Sequence, residues 1–154
     1  MKIKKLDHLS QIYNDYDAFL IDLWGVMHKG IKLNPSAMNV VEKLEEKNKK
    51  IIFLSNAPRP VKKVIKFLEK LQMEEKYLKN VLTSGEVAIS SLKQNKFGER
   101  FYHLGPERDD SLFLDIKKNK TSLKNCDFIL CTGLFDDEEQ NLNYYKDLLK
   151  NFTK

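Results

Sequence analysis

Residues 19–30 read FLIDLWGVMHKG, an apolar run that ends in the carboxylate of Asp22 and continues through Gly25 and Gly30. A short apolar run such as 17–22, followed by turn-forming residues, predicts a buried strand. A carboxylate at the end of that strand can coordinate Mg²⁺ or attack phosphorus, but it can equally cap the following turn. Gly25 permits a sharp turn, and we expect it to leave backbone amides free for anionic oxygens.

Outward from this stretch, short β-type runs alternate with segments of helical periodicity, which indicates βαβ units and a mainly parallel sheet. Strands are predicted at 17–22, 51–54, 81–82, 100–104 and 128–131, and helices are predicted after Pro35, Pro60 and Thr83, over 111–116, and from Leu142 to Phe152. The predicted fold class is α/β, a Rossmann-like sheet with helices on both faces. The polar stretch 94–98 predicts a boundary between domains 1–95 and 96–154.

Two further polar groups follow predicted strands. Ser55 and Asn56 end the second strand, and their hydroxyl and amide can bind phosphate oxygens, although a Ser-Asn pair is also a common turn. Residues 83–86, TSGE, have the form of a capping box, and the same helix start could bind an anion. Because parallel strands share a carboxyl edge, we expect Asp22, Ser55 and Asn56 to converge there.

The composition is that of a globular protein: 154 residues, 42% hydrophobic and 32% charged. The net charge of +5 invites a nucleic-acid partner, but lysine and glutamate alternate within 42–47 and 66–70. That alternation is typical of solvated helix faces, so no nucleic-acid partner is predicted. The acidic run 136–139 could hold a metal, but at a helix start it is explained more simply by the helix dipole.

No apolar run approaches the ~20 residues that cross a bilayer, and no apolar signal region follows the basic start. We therefore predict a cytoplasmic protein with no membrane partner. Cys126 and Cys131 are too few for a disulfide framework, and both are predicted to be buried thiols in a reducing compartment.

Three stretches together resemble the haloacid dehalogenase superfamily, subclass IIA, which includes nitrophenyl phosphatase-like enzymes: FLIDLWGVMHKG (19–30), IIFLSNAPRP (51–60) and VLTSGEVAISSL (81–92). The first family motif, Asp-x-Asp-Gly-Val, stands here as residues 22–26, DLWGV, which is similar to one variant branch of the subclass. The second motif stands as Ser55-Asn56. Residues 103–106 and 126–149 resemble the start of that subclass's α/β cap domain.

The resemblance implies a Mg²⁺-dependent phosphohydrolase that acts on a small phosphorylated molecule through an aspartyl-phosphate. Asp22 would be the nucleophile and a metal ligand, and the backbone carbonyl of Trp24 would be a second metal ligand. Ser55, Asn56 and Gly25 would hold the phosphoryl group.

Two departures from the family pattern matter. Trp24 stands where the family has the aspartate that protonates the leaving group and activates water, assistance worth about 10²–10⁴-fold. His28 is a candidate replacement, although a loop histidine is more commonly structural. The family's motif-three lysine and acidic motif four have no counterpart in residues 1–154, so we expect the sequence to be the N-terminal part of such a protein.

Two other functions stay open. The chain could be a catalytically impaired protein that binds a phosphate-containing ligand or regulates through it, for which Trp24 is the direct argument. It could instead be a basic interaction protein whose lysine-rich helices meet an acidic partner. A homo-oligomer is left open as well.

Overall fold

The computed structural model describes residues 5–135, 141–150 and 152. In this part of the chain the strands are β1 (Ala18–Asp22), β2 (Lys50–Ser55), β3 (Val81–Thr83), β4 (Phe101–Leu104) and β5 (Phe128–Cys131). The α-helices are α1 (Pro35–Glu46), α2 (Val61–Lys70), α3 (Glu75–Leu78), α4 (Ser84–Lys93) and α5 (Leu142–Leu149). The acidic run 136–139 lies outside the described residues.

The strands form parallel pairs, which confirms the α/β fold class. One sheet has the order β1-β2-β3, and β1 pairs with β2 in parallel with Asp22 opposite Leu54. The second sheet is the parallel pair β4-β5, with His103 opposite Leu130. At the carboxyl edge of the first sheet, the polar strand ends Asp22 and Ser55 therefore come together.

Helix starts in the structure follow from local capping. The side chain of Asn34 accepts a hydrogen bond from the Ser36 N–H (3.1 Å) and Pro35 occupies the first turn of α1, so the cap is Asn34. The short helix predicted over 111–116 is found as two short 3₁₀ helices with other bounds, Glu107–Leu112 and Leu114–Asn119. Helix α3 escaped prediction because four residues are too few to show a helical period.

The first sheet is covered on one face and exposed on the other in the described residues. Phe53 of β2 is fully buried, and its ring meets Tyr77 of α3 edge-on at 6.2 Å. Alternate residues point away from that core, and Leu20 of β1 is 67% exposed. The prediction that β1 is a buried strand is therefore wrong, since only Phe19 and Ile21 are even partly covered.

Chain contacts define two compact units, Met1–Ser55 with Lys62–Leu82 and Asn56–Val61 with Thr83–Lys154. The core of the second unit includes the rings of Phe101 and Phe113, edge-on at 5.1 Å. The domain boundary between residues 95 and 96 stays a prediction.

The two cysteines differ from each other. Cys126 is buried and its Sγ donates to the Leu123 carbonyl (3.1 Å), as expected for a buried thiol. Cys131 is exposed, so its predicted burial is wrong; it is the final residue of a strand whose other residues are only half-buried. Across the described ranges, no helix has the length and apolar character needed to cross a membrane.

Candidate active site

Asp22 is the last residue of β1, and its side chain is exposed. One carboxylate oxygen, Oδ1, accepts a hydrogen bond from the Leu23 N–H at 2.8 Å. Leu23 itself is only 1% exposed, so the backbone directly after the carboxylate is anchored in the core. The result is a solvent-facing carboxylate on a fixed strand end.

The segment after Asp22 forms a tight loop held by its own backbone. The Met27 and His28 N–H groups both donate to the Leu23 carbonyl (2.9 and 3.1 Å). Gly25 has φ +86°, a conformation that glycine adopts without strain, and its N–H donates to the His28 carbonyl (2.8 Å). Of the backbone amides that the turn was expected to leave free, those of Gly25, Met27 and His28 are therefore engaged inside the loop.

His28 anchors this loop. Its side chain is buried, its Nδ1 accepts from the Gly30 N–H (3.2 Å), and its ring meets Phe67 edge-on at 5.2 Å. Burial lowers the pKa of the His28 imidazole, and the charge of the Asp22 carboxylate acts in the opposite direction with a smaller effect than burial. His28 is thus neutral near pH 7, a state that the residue type alone does not reveal.

Trp24 lies two residues beyond Asp22 and is 66% exposed. Its indole N–H donates hydrogen bonds but does not titrate. The position that carries the family's acid thus presents a large aromatic surface to solvent and no proton donor for catalysis.

Ser55 ends β2 and lies at the same sheet edge as Asp22. The register places Leu54 beside Asp22, so Ser55 is one residue further along. Ser55 is 8% exposed, on the covered face of the sheet, whereas Asp22 lies on the open face. A ligand touching both must therefore sit beyond the strand ends rather than on one face.

Asn56 follows Ser55 directly and is exposed. Its carbonyl accepts a hydrogen bond from the Ser84 Oγ (2.9 Å), which holds this backbone to the start of α4. The assignment of Ser55, Asn56 and Gly25 as phosphate-binding residues stays a prediction.

The start of α4 is a helix cap. Thr83 Oγ1 accepts from the Glu86 N–H (3.1 Å), as the capping-box pattern predicts. The Gly85 N–H donates to the Ala57 carbonyl (3.1 Å), and a Cβ at Gly85 would collide with the backbone of Arg59. The anion-site alternative is not supported, because this helix start is occupied by residues 57–59.

A second polar cluster lies at the carboxyl edge of β4 and β5. His103 is 5% exposed; its Nε2 lies 2.9 Å from Thr132 Oγ1 and its Nδ1 lies 3.3 Å from Asp110 Oδ1. Lys120 Nζ lies 3.4 Å from the same Asp110 oxygen. Burial lowers the pKa of His103, and the nearby Lys120 charge acts in the same direction while Asp110 opposes it.

This cluster was missed by sequence reasoning, because Thr132 lies 29 residues from His103 and no local pattern joins them. His103 is the penultimate residue of β4 and Thr132 directly follows β5, so the only signal in the sequence was a polar residue near the end of each predicted strand.

The donor set at Asp22 fits Mg²⁺ in type. Mg²⁺ prefers oxygen ligands, keeps several waters, and is commonly held by one or two carboxylates together with substrate phosphates. Asp22 offers one exposed carboxylate, and within 5–135, 141–150 and 152 no group of three or more His, Cys, Asp or Glu side chains is placed to hold a metal. The described residues therefore supply a minimal site.

This combination of a parallel α/β sheet and a carboxylate at its carboxyl edge is characteristic of the hydrolase class that the sequence resembles. A family model described as haloacid dehalogenase-like hydrolase matches residues 19–116, so the chain belongs to that family. No protein with curated function matches the chain.

Solved structures extend the comparison. A haloacid dehalogenase-like hydrolase from Brucella suis is 28% identical, with a TM-score of 0.75 over 95% of this chain and 53% of its own. A 4-nitrophenylphosphatase from Thermotoga maritima is 22% identical (TM-score 0.64, 90% of this chain and 52% of its own). A p-nitrophenyl phosphatase from Archaeoglobus fulgidus is 20% identical (TM-score 0.63, 88% and 51%). The chain thus spans about half the length of these structures, and it shares their fold.

Proposed function

We propose that this chain carries the nucleophile of a cytoplasmic, Mg²⁺-dependent phosphohydrolase that acts on a small phosphorylated metabolite. The observation that carries the proposal is Asp22, an exposed carboxylate on an anchored strand end, one register step from Ser55 at the same sheet edge. Membership of a hydrolase family supports it, as do the phosphatase names of the Thermotoga and Archaeoglobus structures.

The reaction would proceed in two displacements. A carboxylate oxygen of Asp22 attacks phosphorus, the bond from phosphorus to the leaving oxygen breaks, and an aspartyl-phosphate forms. Water then attacks that phosphorus, which releases inorganic phosphate and restores the carboxylate. Ser55 and Asn56 would donate hydrogen bonds to the phosphoryl oxygens and hold the group in line.

Mg²⁺ would be held by the Asp22 carboxylate and the Trp24 backbone carbonyl, and when bound it would neutralise phosphate charge. Because one side-chain carboxylate leaves the ion mostly hydrated, we expect weak Mg²⁺ affinity and negligible steady-state turnover from the 154-residue chain. Robust Mg²⁺-dependent turnover that Asp22→Asn abolishes would contradict this expectation.

Substrates with good leaving groups suit this site. Trp24 provides no proton, so an alkoxide would depart unprotonated, whereas a phenolate or a carboxylate needs little assistance. Lys29 and Lys32 line a cavity of 280 Å³ together with Gly25 and His28, next to the Asp22 loop. Their charges would favour an anionic substrate such as an acyl or aryl phosphate.

The test is a single-turnover trapping experiment. The chain is incubated with Mg²⁺ and acetyl phosphate, reduced with borohydride, and digested for mass spectrometry. We expect homoserine at position 22, because an acyl phosphate is reduced to the alcohol and the carboxylate is not. Asp22→Asn should abolish the signal, while Asp17→Asn, at an exposed aspartate just before β1, should keep it. Label at other aspartates only would refute the proposal.

A phosphate-ligand binding or regulatory protein on the same scaffold is the second candidate, favoured by the exposed, non-titrating Trp24. That candidate predicts no homoserine at position 22. It predicts instead saturable binding of phosphate esters, followed by amide chemical shifts near Ser55 and weakened by Ser55→Ala.

A further inference from the structure

Trp24 is a large aromatic side chain that is exposed beside the candidate nucleophile. Along residues 22–24 the exposure alternates: Asp22 is exposed, Leu23 is buried in the core, and Trp24 is 66% exposed. Asp22 and Trp24 therefore share the solvent side of this segment. Two residues of chain span at most about 7 Å, so the indole is within reach of a group attached to phosphorus at the Asp22 carboxylate.

The backbone that carries the indole is fixed on both sides. Leu23 before it is anchored in the core, and the Gly25 N–H after it donates to the His28 carbonyl at 2.8 Å. Trp24 itself forms a β-bridge with His28. A tryptophan has two side-chain torsions, so holding its ring against a ligand costs little conformational entropy. The exposed indole is therefore a preorganised contact surface.

The chemistry around this surface favours one kind of ligand group. An indole face attracts flat aromatic rings, and it also attracts cations. Lys29 and Lys32 line the 280 Å³ cavity next to Gly25 and Val26, and their positive charges disfavour a cationic ligand. Val26 is 43% exposed and adds apolar surface to the same loop. A neutral, flat aromatic ring is therefore the better match to the indole.

We propose that Trp24 is a specificity-determining residue that packs its indole against the aromatic leaving group of an aryl phosphate. In an in-line displacement the leaving group lies on the side of phosphorus away from the attacking Asp22 oxygen, toward the solvent side that Trp24 borders. The inference rests on the proposed function for the position of the phosphoryl group. It narrows the substrate class from acyl or aryl phosphates to aryl phosphates.

The test uses phosphonates, whose phosphorus–carbon bond is not hydrolysed, so that binding is measured without turnover. Phenylphosphonate carries a flat ring, and cyclohexylphosphonate is the matched control, since its ring has the same number of carbons but no aromatic face. Trp24 is the only tryptophan in the sequence, so intrinsic tryptophan fluorescence reports on this position alone.

With Mg²⁺ present, we expect phenylphosphonate to change the tryptophan fluorescence saturably. We also expect it to bind about tenfold more tightly than cyclohexylphosphonate, because an aromatic pair adds to the apolar contact that both rings make. Equal affinities for the two phosphonates would overturn the proposal, and so would the absence of saturable phenylphosphonate binding.

Variants at position 24 separate aromatic packing from general apolar contact. In calorimetric titrations, Trp24→Leu should lose the preference for phenylphosphonate, whereas Trp24→Phe, which restores an aromatic face, should keep most of it. Ile31→Ala is the matched control, since Ile31 is 88% exposed in the same compact unit, and it should leave the preference unchanged. If circular dichroism shows that Trp24→Leu does not fold, Trp24→Gln replaces it. A preference that survives in the folded variant would overturn the proposal.

The proposed function is tested separately by homoserine at position 22, which does not depend on the aromatic ring. Homoserine there, together with equal affinities for the two phosphonates, would refute the role of Trp24 and leave the nucleophile standing. A preference for phenylphosphonate without homoserine would support the aromatic contact at Trp24 and refute Asp22 as the nucleophile.

Discussion

The carboxyl edges of the two sheets, here called the first edge (β1 and β2) and the second edge (β4 and β5), both carry polar side chains. The carboxylate at the first edge is exposed, whereas the imidazole at the second edge is buried. At the first edge, Asp22 faces solvent, and its Oδ1 accepts one hydrogen bond from a neighbouring amide. At the second edge, His103 is buried, and both ring nitrogens lie within reach of fixed groups, Thr132 and Asp110. A buried polar group whose hydrogen bonds are made within the protein stabilises the fold, whereas an exposed polar group is available to bind a ligand.

This difference in exposure identifies the first edge as a candidate active site and the second edge as a structural polar cluster. The second edge does contain an Asp-His-Thr series of the type found in catalytic relays. A cavity of 550 Å³ beside the second edge is lined by His103, Gly105, Asp110 and neighbouring residues, and the Oγ1 of Thr132 lies 2.9 Å from His103 Nε2. The cluster instead ties β4, β5 and the 3₁₀ turn at 107–112 together.

The largest expected effect tests the reactivity of the first edge. Trp24→Asp should speed hydrolysis of the trapped aspartyl-phosphate by about 10²–10⁴-fold, because the new carboxylate can take a proton from the attacking water. The same variant should raise turnover of a complete protein on alkyl phosphates more than on aryl phosphates. Decay of the position-22 label is followed by timed borohydride quenching.

Trp24→Asn is the control for this variant, since it removes the indole without adding a titratable group. No gain from Trp24→Asp would mean that another residue already supplies the proton. His28→Gln would then be the next variant to measure, and slower decay in it would identify that residue.

An intermediate effect is expected from placing alanine at a glycine of each edge. A Cβ at Gly105 would collide with Thr132 Oγ1 and lie 2.9 Å from His103 Nε2, whereas a Cβ at Gly25 meets nothing within 4 Å. Both glycines have positive φ, +154° and +86°, so both variants carry backbone strain of about 1–2 kcal/mol. Gly105→Ala should cost about 1–3 kcal/mol more, from overpacking.

Urea unfolding followed by circular dichroism measures the difference. Gly133→Ala is the neutral comparison, because its Cβ would meet only the Pro106 Cδ at 3.9 Å, ordinary van der Waals contact. Equal losses in the free energy of unfolding for Gly25→Ala and Gly105→Ala would show that the contact between Thr132 and His103 can adjust without an energetic cost. The second edge would then be packed no more tightly than the first.

The first edge was predictable from sequence and the second was not, for a physical reason. A short apolar run ending in Asp22 is a local signal, and strand, turn and carboxylate follow within ten residues. The contacts of His103 reach Asp110 in the 3₁₀ helix Glu107–Leu112 and Thr132, 29 positions away, which becomes a neighbour only when β4 pairs with β5. Exposure of β1 was missed for the same reason, since strand burial depends on what packs against the sheet.

The hydrogen bonds within the loop after Asp22 also could not be predicted from the sequence. The glycine at position 25 predicted a turn, which the positive φ confirms, but not that its amide would close onto the His28 carbonyl. Residue type predicts the backbone conformation a position tolerates, whereas the partner of each amide is decided by the loop as a whole.

The smallest expected effect is the pH dependence of the second edge. Because burial lowers the pKa of His103 in the folded protein, the unfolded chain binds its proton first as the pH falls. The stability that this neutral imidazole contributes is complete above its unfolded pKa of 6.5 and is lost as the pH falls below that value. A single proton limits this contribution to about 1.4 kcal/mol per pH unit.

His103→Gln should therefore make the free energy of unfolding less dependent on pH between neutral pH and pH 5. The same substitution at the exposed His8 should leave that dependence unchanged. An unchanged slope in His103→Gln would mean that the folded protein protonates this ring as easily as the unfolded chain does, and that the cluster is less closed than its distances indicate.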